Sequence, residues 1–217
     1  MTWLPDPVYF STMTLVGWGW SLPAYWLMFS ARGKALLSNP WCIIVAFACL
    51  ALSLWHVGSE MARLIALAGG IMPLDGQYNY GVPQVVEFAE ALGAEGRREY
   101  IIFQLGADAL APPAFVCFLM AVYRSTIRSA TVQRIITSVA FAYFTSVLIA
   151  NAYMPVIMDH YPDSQTGSLP LLYGLIPLMD WVKYTAHAIA WIIIVAGWAW
   201  QIGNQSRKSK ASKELHT

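Results

Sequence analysis

Apolar residues along this chain come in long blocks separated by short polar intervals, a pattern unlike the period-2 alternation of half-buried strands. About five blocks, near 8–29, 41–68, 98–123, 132–157 and 171–202, reach the roughly 20 residues needed to cross about 30 Å of hydrocarbon. A segment inside a bilayer must satisfy its own backbone hydrogen bonds, and these blocks are too long for barrel strands, so each predicts a helix. The expected fold is an all-α integral membrane protein. It is a five-transmembrane-helix bundle forming one domain over 1–202, with a basic, polar and disordered tail at 203–217. The longest polar interval, 69–97, reads "GGIMPLDGQYNYGVPQVVEFAEALGAEGR". Its Gly, Pro and Asp punctuation predicts a loop leading into a short amphipathic helix over 83–92, with proline at its start. That helix turns Val85, Val86, Phe88, Ala89 and Leu92 toward something apolar such as the bilayer interface, and it has the character of a lid.

Composition supports the membrane reading: of 217 residues, 58% are hydrophobic and only 12% charged, which excludes an ordinary soluble domain. Charge supplies orientation, because Lys and Arg gather in loops on the cytoplasmic side. Arg32 and Lys34, then Arg124, Arg128 and Arg134, then Arg207, Lys208, Lys210 and Lys213 all fall on one side of a five-span count. Asp6, Asp75, Glu87, Glu90, Glu95, Asp159 and Asp163 fall on the other, so the amino terminus is expected outside or in the lumen and the carboxyl terminus in the cytoplasm. The first residues lack a basic n-region and contain Pro5 and Pro7, so no cleaved signal is expected. Cys42, Cys49 and Cys117 sit within spans without zinc or redox spacing and read as packing residues.

Ionisable groups inside a span are costly and imply a partner, a cavity or a function. From about 1.5 Å of rise per residue, Glu60 lies about 13 Å below the outer end of the second span and His56 about 19 Å. On the same measure Asp108 lies about 16 Å deep, Asn151 about 12 Å, Asp180 about 13 Å, Lys183 about 18 Å and His187 about 24 Å. Polar groups from four helices therefore share the outer half of the membrane, while the inner halves are nearly all apolar. Each also has a purely structural reading. His56 and Glu60 are spaced to bond each other, with Arg63 snorkelling outward; Asp108 and Lys183 can form a packing ion pair; Asn151 can bridge helices; His187, between Tyr184 and Trp191, can be a satisfied core histidine. Pro112 and Pro113 should bend the third span just below Asp108 and open room for a ligand.

The second block, "NPWCIIVAFACLALSLWHVGSEMARLIAL", with its H-x-x-x-E and the preceding "FSARGKALL", resembles the second span of emopamil-binding-protein-like sterol Δ8-Δ7 isomerases of the EXPERA superfamily. Five spans, a lumenal interval before "RREYIIF", a third helix with acidic or amide groups ahead of proline, and a Lys-rich tail agree in outline. The resemblance implies catalytic places for His56 and Glu60, and a third-helix acid at Gln104 or Asp108. It puts Asp180 and Lys183 where the family has asparagine and tryptophan, so the chain resembles a divergent member.

The activity implied is cofactor-independent isomerase or cyclase chemistry on a polycyclic sterol-like or terpenoid lipid. Glu60 or Asp108 would donate a proton to a double bond and His56 would remove one, with Gln104, Asn151, Asp180, Lys183, Tyr184 and His187 binding the substrate. A non-catalytic sterol-binding or trafficking protein, or an accessory subunit of a membrane complex, stands beside it. The expected partners are a hydrophobic lipid and the membrane, with a homodimer compatible and no nucleic acid. Location would be the endoplasmic reticulum in a eukaryote or the plasma membrane in a bacterium.

Overall fold

The computed structural model describes residues 9–10, 12–77, 80–127, 129–162 and 170–214, and among these every regular element is helical, with no strand. Seven helices follow in order: α1 (Thr12–Phe29), α2 (Ala31–Leu37), α3 (Trp41–Leu67), α4 (Val82–Leu105), α5 (Ala111–Thr126), α6 (Ala130–Asp159) and α7 (Pro170–Glu214). A single 3-10 turn, Leu74–Gly76, interrupts the connection between α3 and α4. Among the described residues, three helical segments are long and apolar enough to cross a membrane, Trp41–Leu67, Ala130–Asp159 and Leu171–Trp200. The side chains of Asp6, Asp163 and Arg128, which entered the charge count, lie outside the described residues.

Several expected boundaries change. "ARGKALL" forms α2 instead of a loop, because Ser30 caps it by accepting the Gly33 N–H at 2.8 Å. The amphipathic helix begins at Val82 but breaks only at Gly93, whose φ of +62° suits glycine, and resumes at once toward Leu105. Its apolar face meets protein, not lipid. Phe88 is fully buried and meets Tyr100 edge to face, centroids 5.1 Å apart, within a core that also contains Leu64, Met154 and Ile176.

The expected third span is not one helix. α4 ends at Leu105, residues 106–110 form a turn, and α5 starts afresh at Ala111. The prolines do more than bend the helix, since neither can donate an N–H, and they belong in a first turn where none is needed. α1 crosses beside this turn. A Cβ at Gly17 would lie 2.9 Å from the Ala109 Cβ and 3.1 Å from the Gly106 carbonyl oxygen. Gly17→Leu is expected to destabilise by about 1–3 kcal/mol through overpacking, seen as a lowered melting temperature in detergent. At the other end, the tail expected to be disordered continues α7 to Glu214, its Ala, Lys, Arg and Glu being good helix formers.

Burial falls into two apolar cores. One combines Ala114–Tyr123 of α5 with Ile136–Val147 of α6 and Ala186–Ile194 of α7. The other combines Tyr100–Ala107 at the end of α4 with Ala150–Met158 of α6 and Leu172–Ile176 of α7. Between the two cores the chain places polar residues, Asp108 at the α4–α5 turn and Asp180, Lys183 and Tyr184 on α7.

Candidate functional site

Between those cores lies a partly open cavity of about 230 Å³. Leu54, Val57 and Met61 of α3 wall one side; their spacing of three and four puts them on one helix face. Tyr143 and Val147 do the same from α6, and Lys183, Tyr184 and His187 from α7. Asp108, Ala111 and Pro112 enter from the α4–α5 break, and Asp75 from the 3-10 turn. Leu54, which is 53% exposed, marks the open side along the apolar outer face of α3.

A polar network ties these elements together. The Lys183 ammonium sits 2.5 Å from Asp180 Oδ1 one turn earlier on α7, and 3.9 Å from Asp75 Oδ1. Tyr80 donates its hydroxyl to Asp180 Oδ2 at 2.5 Å. Tyr100 donates to Asp75 Oδ2 at 2.5 Å, Gln104 Nε2 donates to the same oxygen, and the Tyr184 hydroxyl donates to the Asp75 carbonyl. The loop carrying Asp75 is thus strapped onto α4 and α7 by its own acid. Its side chain is only 6% exposed. Burial raises the Asp75 carboxyl above its ordinary value, and the Lys183 ammonium offsets part of that rise. Burial, reinforced by Asp180, also pushes the Tyr80 phenol up, so it stays a donor.

Asn151 is completely buried beside Asp108, and among the described residues neither atom of its amide has a partner in hydrogen-bonding geometry. The Gln104 Oε1 is likewise buried and without a partner among the described residues. Three carboxyl groups, Asp75, Asp108 and Asp180, thus face one ammonium in a space otherwise walled by apolar and aromatic groups. Such a site favours proton exchange and grips polar atoms of an apolar guest.

Of the residues singled out from the sequence, Asp108, Lys183, Tyr184 and His187 line the cavity together. Asp180 and Gln104 hold two of its charged groups, and Asn151 backs Asp108. His56 and Glu60 do not line it. Glu60 is bound by Arg63, with Nη2 at 2.9 Å and Nε at 3.1 Å, and Arg63 also reaches Glu99 at 2.8 Å. His56 is half-buried, and its carbonyl accepts the Ser59 hydroxyl. The expected bond between His56 and Glu60 is replaced by this second arrangement, because a guanidinium fork satisfies a carboxylate better than imidazole does.

Asp75, Tyr80, Tyr100 and Tyr143 were not singled out as site residues. One signal for Asp75 was present: "IMPLDG" is an unusually apolar approach for a surface loop, and Leu74 is fully buried. No family model, curated protein or solved structure matches the chain.

Proposed function

We propose that the chain is a multi-pass membrane isomerase or cyclase that shifts or captures a double bond in a polycyclic sterol-like or terpenoid lipid by proton transfer. The observation that carries this reading is the opening of two carboxyl groups from separate elements, Asp108 and Asp75, on one apolar-walled cavity. The resemblance of the second span supplies the reaction class, with the roles relocated. Asp108 is the proton donor: its O–H bond breaks as a C–H bond forms at one alkene carbon, leaving a cation on the other. Asp75 takes a proton from an adjoining carbon, and that C–H electron pair becomes the new double bond. In a cyclase a second alkene attacks the cation first. The catalyst is regenerated when the proton on Asp75 returns to Asp108, through Lys183 or through water.

Lys183 in place of the family's tryptophan does not forbid the cation, because Asp180 and Asp75 counter its charge. The five-span arrangement, amino terminus out or lumenal, stays part of this proposal, with α4 and α5 together forming one crossing. Endoplasmic reticulum in a eukaryote, or plasma membrane in a bacterium, follows from it. A partner lipid enters beside α3.

A second reading, a lipid-binding protein without chemistry, is favoured by the saturation of Asp75 Oδ2 with two donors. Incubation with candidate sterol and terpenoid alkenes in deuterated water separates the two. The expected result is product carrying one deuterium at the carbon that gains the proton. Saturable binding with no deuterium in recovered lipid would leave only the binder.

A further inference from the structure

One cavity residue has a fixed hydrogen-bonding sense that the proton transfer does not use. His187 Nε2 lies 2.7 Å from Trp191 Nε1. An indole nitrogen only donates, so Nε2 is the acceptor and a proton on Nε2 is excluded. The imidazole is therefore the neutral tautomer with its hydrogen on Nδ1. Stacking on Phe115, with centroids 4.4 Å apart and planes at 20°, and packing on Tyr143 at 5.7 Å hold the plane of the ring, and the Trp191 bond sets which nitrogen faces the indole. Its position is one helical turn, about 6 Å of rise, from Lys183.

We propose that His187 is the specificity-determining donor of the cavity: its Nδ1–H recognises an acceptor oxygen, carbonyl, ether or hydroxyl, on the lipid. Trp191 acts through it as a positioning residue. This deepens the proposed function and rests on it. The substrate it describes is an oxygenated lipid, its oxygen held at His187 while its double bond meets Asp108 in the same cavity. A pure hydrocarbon filling the cavity would offer this donor no acceptor while keeping water from it.

The test uses the full chain in lipid nanodiscs, with 5α-cholestan-3-one and 5α-cholestane as probes that differ by one acceptor oxygen. The wild type is expected to bind the ketone about tenfold more tightly, and His187→Phe to bind both probes alike, with hydrocarbon affinity retained. Nitrogen NMR of labelled histidine, with His187→Phe used for assignment, should place the proton on Nδ1, and Trp191→Phe should release it into a mixture of tautomers. Equal binding of both probes by the wild type, or a proton on Nε2, overturns this inference and leaves the proposed function standing. Failure of both probes to bind removes the polycyclic-lipid reading, and this inference with it.

Discussion

Lys183→Met is expected to destabilise the protein by about 3–5 kcal/mol, because removing one partner of a buried pair leaves the other charge uncompensated. The Lys183 side chain is 12% exposed and that of Asp180 1%, so little water is available to take over. The loss does not stop at Asp180. Asp75 also faces the ammonium, and it is the point where the 3-10 turn is held to Tyr100, Gln104 and Tyr184. Without Lys183 the turn keeps its hydrogen bonds but gains like-charge repulsion from Asp180. The double variant Lys183→Met with Asp180→Asn should recover a large part of the stability, since the amide still accepts from Tyr80. Melting temperatures of the three proteins in one detergent check this. A single variant as stable as the wild type would show the cluster to be solvated and the ion pair idle.

Asp108→Asn is expected to lower turnover by about 10²–10⁴-fold, the range typical of a lost general acid. The fold should be nearly unaffected. The Asp108 backbone N–H is held by the Phe103 carbonyl at 3.1 Å, a contact the substitution preserves, and asparagine is close in volume. Glu60→Gln serves as the contrast. Glu60 is tied to Arg63 away from the cavity, so its loss should weaken an exposed bridge worth about 0–1 kcal/mol and leave turnover close to the wild type. Rates from deuterium incorporation, measured beside melting temperature, check both. If Glu60→Gln were the inactive variant and Asp108→Asn the active one, the proton donor would have been assigned to the wrong helix.

The long helices were legible in the sequence because uninterrupted apolar length is a strong signal. α3 was expected over 41–68 and ends at Leu67; α6 was expected over 132–157 and runs Ala130–Asp159. The α4–α5 interruption was half legible. Two adjacent prolines announced a disturbance, but the tolerance of membrane helices for proline bends made a kink as reasonable as a break. Within the site, depth arithmetic brought Asp108 and Lys183 together correctly, because helical rise fixes height. It could not choose between faces. His56 and Glu60 were expected at a similar height but sit off the face carrying Leu54, Val57 and Met61. Arg63, one turn from Glu60, was the competing signal. Asp75 was missed for another reason: a loop has no rise per residue to count, so its inward fold depended on tertiary hydrogen bonds from α4 and α7.

α5 is buried along its length from Ala111 to Tyr123, enclosed by α1, α3, α6 and α7. The ribosome finishes it before α6 and α7 exist. A newborn chain at that stage holds a helix whose eventual wrapping is only half made, its core partners so far coming from α1, α2 and α3. Synthesis of this protein therefore has an interval, between release of residue 126 and arrival of the last helix, in which apolar surface that the mature molecule conceals is still uncovered.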